Sequence, residues 1–173
     1  RAPRDDAATI RVALTVQRPD AGELELDASP MSYAQPLATL VALRDEADNF
    51  VGLKVSDTPW EKFSPYLLEG LDIFVGPEAL IPQGLASGAV GAVSGLAGSF
   101  PDAVVSLFRD PTDEHGARVA ALRSSLQALP FQAASKMVLG LRGVPVRGGV
   151  RAPLRDLTDD ERAEVDRIVR EWL

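Results

Sequence analysis

Three short apolar runs, each followed within a few residues by a helix start, restrict the possible folds of this chain more than any other feature. They are Phe50 to Val55 (FVGLKV), Asp72 to Gly76 (DIFVG) and Ala89 to Gly95 (AVGAVSG). Their apolar residues are largely continuous rather than alternating, the pattern of strands covered on both faces. After the first run, Thr58, Pro59 and Glu61 supply an N-cap hydroxyl, a proline for the first helical position and a capping-box acid. After the second, Pro77 leads into a helix expected to reach about Ser87. After the third, Ser99, Pro101 and Asp102 open another. Strand and helix alternating through short connections mark parallel βαβ units and the α/β class.

An earlier run, Ile10 to Val16, ends at Pro19 and an Asp20-Ala21-Gly22 turn and reads as a fourth strand. Leu37, Leu40, Val41 and Leu43 have helical spacing. The last third of the chain changes character, to helices without strands. Val119, Leu122, Leu126 and Leu129 share one helical face, Pro130 bends or ends that helix, and a second runs from about Gln132 to Leu141. A loop rich in Gly, Pro and Arg follows, from Arg142 to Pro153. Thr158 and Glu161 then form a capping box ahead of a stripe of Val165, Ile168, Val169 and Trp172. The expected division is a βα region over residues 1–110 and a helical region over 111–173 packed upon it.

Composition removes several function classes. The net charge is −7, and no basic stripe interleaved with aromatics offers a surface for nucleic acid. With no cysteine there is no disulfide, thiolate metal site or cysteine nucleophile, and the lone His115 excludes a histidine-rich metal site. No metal and no organic cofactor are expected. The longest apolar stretch, Gly84 to Ser99, falls short of the roughly 18 residues that a membrane span needs. No signal-peptide pattern is seen, so a cytoplasmic enzyme is expected. His115 reads as an exposed residue at a helix start. Gly148-Gly149 is a turn, since the GxxxxGK[ST] pattern of a phosphate loop is missing.

Lys54 is the residue most able to carry chemistry. It stands near the C-terminal end of an apolar strand, the end at which parallel βα proteins build active sites. Two readings follow. A desolvated lysine there has a lowered pKa and a neutral amine able to attack a carbonyl. Alternatively it marks the strand's exit into water, its ammonium reaching outward.

The segment Phe50 to Ser56 (FVGLKVS) resembles the Schiff-base strand of the dihydrodipicolinate synthase and N-acetylneuraminate lyase family. Further similarities follow in order. Gly76-Pro77-Glu78 resembles the family's glycine-plus-acid turn, and Gly88 to Ser94 its glycine-rich motif, with Pro101 beyond. Lys136, Gly140 and Val150 to Leu154 resemble its C-terminal helical region. The resemblance implies a (β/α)8 barrel and a lyase or aldolase that binds pyruvate or another 2-oxo acid as an imine on Lys54. It implies that Tyr33, in Tyr33-Ala34-Gln35-Pro36, moves the proton, and that Gly76, Glu78, Val93 and Ser94 shape the substrate site. A small-molecule 2-oxo acid is the implied partner, in a homo-oligomer, dimer or tetramer. Two departures stand out: Ala34 replaces the family's Asn, and Tyr33 lies closer to Lys54 than is usual. No arginine follows Tyr33 before Leu40, which speaks against dihydrodipicolinate synthesis itself.

A complete barrel of this kind takes about 250 residues and eight strands. This sequence offers four strands, so the expected barrel is incomplete, a first strand plus the C-terminal half, with a helical appendage. Arg11 to Asp27 resembles the family's first strand and the acidic turn after it; alternatively, Val12 to Pro19 matches strand five, with Val16 in the tyrosine's place. Three explanations stay open: part of a longer chain, a degenerate relative serving as a structural or regulatory subunit, or a half-barrel that pairs with another subunit.

Overall fold

The computed structural model describes the backbone from residue 34 to residue 173 and the side chains from residue 37 onward. The expected strand at Ile10 to Val16, the first-strand resemblance and Tyr33 lie outside the described residues. The chain divides into two compact units, one running through Val51 and taking in Leu68–Leu71, the other comprising Gly52–Leu67 and Asp72–Leu173.

In the first unit, helix α1 (Ala34–Glu46) follows the spacing seen in the sequence, with Leu40 and Leu43 buried. Arg44 near its end donates from Nη1 to the carbonyl of Glu69 at 3.2 Å, tying the helix to the second segment of the unit. Gly70 in that segment has φ of 84°, a backbone conformation open to glycine and strained for other residues.

The second unit is built on a parallel sheet of three strands in the order β1 (Gly52–Val55), β2 (Asp72–Val75), β3 (Gly91–Ala92). Lys54 stands opposite Phe74 and Val55 opposite Val75. The run Ala89 to Gly95 therefore yields only two residues of strand, although Val90 and Val93 donate to Ile73 and Val75 at 2.9 Å on either side of it. Its interspersed glycines explain the shortening, since glycine loses most entropy on being extended and packs nothing. Burial also differs from the two-sided expectation. Ile73, Val75 and Val55 are buried, while Phe74 is half-buried and Lys54 exposed, so one face is covered and the other partly open.

Helices α2 (Trp60–Phe63) and α3 (Ile81–Ala86) supply that cover: Gly84 packs against the Val75 side chain, with the Phe63 ring near by. The helix expected to open at Thr58 is thus a single turn starting at Trp60, and no side chain caps it. Pro59 holds the N-cap position, which leaves the Thr58 hydroxyl one residue too early to reach the first amides. The helix expected after Pro77 is likewise divided, a 3-10 turn at Glu78–Leu80 preceding α3.

A 3-10 turn at Leu96–Gly98 leads to α4 (Pro101–Arg109), followed by α5 (Asp113–Gln127), α6 (Phe131–Leu141) and α7 (Asp159–Trp172). Helix α5 packs on α4, α6, α7 and the Glu78–Leu80 turn. Leu122 and Leu126 on α5, Val138 on α6, and Val165 and Ile168 on α7 are buried, each side chain stabilising the unit by roughly 1.5–3 kcal/mol. Thr112 caps α5 through the amide of His115 at 3.2 Å. Lys136 Nζ donates to the Gly149 carbonyl at 2.6 Å and fastens the long loop to α6. Among the described residues no helix is long and apolar enough to cross a membrane.

The capping box at α7 forms as the sequence indicates: Glu161 N donates to Thr158 Oγ1 at 3.3 Å, and Thr158 N donates to Glu161 Oε2 at 2.8 Å. Arg155 adds a two-pronged contact at 2.7 and 2.8 Å. That guanidinium foremost, then the Thr158 amide, lowers the Glu161 carboxyl from 4.5 to about 2. A carboxyl more acidic in the folded chain stabilises it fully above its unfolded pKa and progressively less as protons return. We predict that melting temperature measured from neutral pH downward falls more steeply in the native chain than in Glu161→Gln, the difference developing between pH 4.5 and about 2. Parallel curves would show that the cap makes no pH-dependent contribution.

Candidate active site

Two parallel strands that stop in register bring together whatever residues lie at their carboxyl ends. Here these are Lys54, the third residue of β1, and Gly76, the first beyond β2. The Gly76 amide donates to the Val55 carbonyl at 2.7 Å, which carries the ladder one step past β2. Glycine is required at that step. A Cβ on residue 76 would stand 2.6 Å from the Val55 oxygen and 2.9 Å from Lys54 Cε. The lysine stem therefore lies against the bare Cα of Gly76.

Lys54 is exposed, which agrees with the second of its two readings, the strand's exit into water, rather than with a desolvated amine. Its side chain projects from the less covered face of the sheet, and its strand is an edge: among the described residues no strand pairs with the outer side of β1. The amine is nevertheless part of a concavity. Lys54, Ser56, Thr58, Glu78, Arg123 and Ser124 line an open cavity of about 430 Å³, with Gly76 in its wall.

Among the described residues Glu78 is the charged residue that the fold buries most, at 5% exposure. It opens the 3-10 turn after β2. Its Oε1 accepts from the Ser94 hydroxyl at 2.6 Å and from the Leu96 amide at 3.3 Å. Ser94 Oγ in turn accepts from the amides of Leu96 and Ala97 at 3.0 and 3.1 Å. The hydroxyl thus stitches the turn after β3 to the turn after β2. Arg123 Nη1, reaching in from α5, lies 4.0 Å from the same carboxylate oxygen. Buried charge is tolerated when hydrogen bonds and an opposite charge accompany it, and Glu78 has both.

The structure thus gathers Lys54, Gly76 and Glu78 around one cavity and links Ser94 to it through Glu78. Val93 stands aside: it is 50% exposed and its amide is engaged by the Val75 carbonyl at 2.9 Å. His115 sits on α5 with Nδ1 3.0 Å from the Asp110 carbonyl, and it belongs to a different surface from Lys54. Arg123 was not anticipated from the sequence. It neighbours Leu122 in an amphipathic helix, and only the packing of α5 on the Glu78–Leu80 turn reveals that it faces the site.

Parallel βα units followed by helices, with a lysine at a strand's carboxyl end, place the chain among α/β proteins, and the three-stranded parallel sheet is consistent with part of a barrel. Residues 35–172 match the dihydrodipicolinate synthetase family, and the chain belongs to that family. It is 37% identical over 139 residues to an uncharacterised DapA-like lyase of Halobacterium salinarum, a match covering 75% of this chain and 45% of the relative. Among solved structures, it is similar to dihydrodipicolinate synthase from Agrobacterium tumefaciens, with a TM-score of 0.68, 25% identity, and coverage of 79% of this chain and 48% of the other. It is also similar to Proteus mirabilis N-acetylneuraminate lyase, with a TM-score of 0.62, 28% identity, and coverage of 80% and 50%. The chain spans about half the length of the curated relatives it matches.

The close approach at Gly76 yields a stability test. Gly76→Ala is expected to destabilise the chain by about 1–3 kcal/mol, because backbone on one side cannot move away. Gly98→Ala, where nothing lies within 4 Å of the added carbon, serves as the control and should change stability by less than about 0.5 kcal/mol. Urea midpoints of the two variants measure the difference, and equal midpoints would show that the strand ends are looser than described.

Proposed function

We propose that the chain carries the imine-forming part of a class I aldolase or lyase, with Lys54 as the amine that condenses with pyruvate or another 2-oxo acid. The observation that supports it most is the seating of the Lys54 stem on Gly76 at the carboxyl ends of β1 and β2, beside a cavity, in a member of this family.

The chemistry follows from the amine. Its lone pair adds to the keto carbon, water leaves, and the iminium draws electrons from the adjacent carbon. When a carbon–carbon bond there breaks, its electron pair flows toward the imine nitrogen, an aldehyde departs, and the resulting enamine takes up a proton before water frees the 2-oxo acid. The reverse sequence joins the two fragments. Neither direction calls for a metal or an organic cofactor. Tyr33 is proposed to move the proton, on the strength of the resemblance of Tyr33 to Pro36 to the family's motif. Glu78 Oε2 accepts no hydrogen bond among the described residues and suits a substrate hydroxyl.

An ammonium must lose its proton before it can attack, and exposure to water favours the charged form. Cover over the outer edge of β1 would withdraw the amine from water. Among the described residues nothing pairs with the backbone groups along that edge, which invite further strands. Residues corresponding to the other half of its relatives, or a second copy of the chain, are proposed to provide the cover.

Borohydride reduction in the presence of pyruvate tests the assignment. We expect a single reduced-pyruvate adduct on Lys54 by peptide mass spectrometry, lost in Lys54→Met. Tyr33→Phe should still form the adduct while turnover falls by about 10²-fold or more. An unmodified Lys54, or an adduct elsewhere, would overturn the proposal and favour a structural or regulatory subunit.

A further inference from the structure

Arg123 is a second cation in the lysine's cavity, and its surroundings are built for it. The guanidinium carbon lies 4.1 Å from the centre of the Phe131 ring, a cation–π contact that fixes the plane of the group. Nη2 donates to Gln127 Oε1 at 2.8 Å, one helical turn along α5. Gly95 leaves the space that the guanidinium fills, since a Cβ there would stand 2.8 Å from Nη1. Three neighbours on separate elements thus hold one side chain, which remains 31% exposed and lines the cavity.

What these contacts leave unused is informative. Arginine has five N–H donors in a rigid planar fork. Among the described residues its one hydrogen bond is that to Gln127, and Glu78 at 4.0 Å is an ion pair beyond hydrogen-bond reach. Nη1 and Nε therefore retain donors. Glu78 Oε1, for its part, already accepts from Ser94 and Leu96. The carboxylate is thus hydrogen-bonded by the turn after β3, and Arg123 balances its charge without spending a hydrogen-bond donor on it. A pre-oriented guanidinium with spare donors at a cavity wall is the arrangement that recognises a carboxylate or phosphate.

We infer that Arg123 is a specificity-determining residue that binds an anionic group, carboxylate or phosphate, on the part of the substrate remote from the imine. The favoured aldehyde is then a hydroxylated one that carries an acid, with Glu78 accepting a hydroxyl and Arg123 holding the acid. The cavity, at about 430 Å³, lies within the range of about 300–1,000 Å³ usual for small-molecule sites. This inference takes its place in a reaction from the Lys54 proposal, but the binding it describes does not need an imine.

Calorimetric titration separates the two. The probes are glycerate, phosphoglycerate and glycerol, none of which has a carbonyl that could condense with Lys54. We expect at least one of the acids to bind at least about tenfold more tightly than glycerol, the better acid identifying the anionic group. Arg123→Met, which removes the guanidinium and keeps an unbranched apolar stem, should remove that preference, and Arg123→Lys should keep part of it. Lys54→Met should leave the preference in place. The comparison of acids with glycerol on the native chain stands even if a variant fails to fold. Equal binding of acids and polyol, a preference that survives Arg123→Met, or one that disappears in Lys54→Met would each overturn the inference. Loss of borohydride trapping with an Arg123-dependent preference intact would instead remove the Lys54 assignment alone.

Discussion

The site depends on one backbone contact, the Gly76 amide on the Val55 carbonyl, which continues the β1–β2 ladder past the point where β2 ends. Parallel strands hydrogen-bond at even spacing, so this extra rung sets how far the two chain directions run together before they turn away. It holds the Cα of residue 76 against the Lys54 stem, at a separation that only glycine tolerates. It also sets where the next turn begins, which places Glu78 at the cavity wall. A shift of one residue in this ladder would turn Lys54 to the covered face beside Phe63 and leave a buried ammonium without a partner.

The second layer of organisation is electrostatic, and it crosses from strand to strand. Glu78 follows β2 and Ser94 follows β3, yet the two are joined at 2.6 Å, with the Leu96 amide directed at the same oxygen. Burying a carboxylate is unfavourable unless donors replace the water it loses. Each donor here comes from the segment after β3, so the carboxylate acts as a clasp between neighbouring strand ends. The shortness of β3, with two residues in strand geometry, makes that clasp more important, because little ladder remains to hold the segment in place.

The sequence made some of this legible. The runs at Phe50 to Val55 and Asp72 to Gly76 revealed the parallel strands, since each is apolar, of strand length and followed by helix signals. The Thr158–Glu161 box marked the start of α7 because capping is a local interaction, decided within four residues. Local rules misled where two signals overlapped: Thr58, Pro59 and Glu61 look like a helix start, but Pro59 took the capping position and a single turn resulted. The sequence left the exposure of Lys54 open between two readings, because continuous hydrophobicity implies cover without saying what supplies it. Arg123 was hidden for a related reason. Periodicity assigns a residue to the polar side of a helix, but only tertiary packing decides whether that side meets water or a cavity.

That last point alters how the C-terminal helices relate to the strands. Treated as an appendage, α5 would serve only to cover apolar surface through Val119, Leu122 and Leu126. Its packing on the Glu78–Leu80 turn does more, because the residue next to Leu122 is carried to the cavity wall. The apolar stripe fixes the rotation of the helix about its axis, and that rotation in turn determines which polar residues face Glu78. A change in the buried stripe would therefore move the Arg123 guanidinium even though no cavity residue had been altered. Conversely, the guanidinium is held by Phe131 on α6 and by the space at Gly95 after β3, so its position registers the arrangement of three elements at once. Sheet and helices together line one cavity, with the amine supplied by a strand and the second cation by a helix.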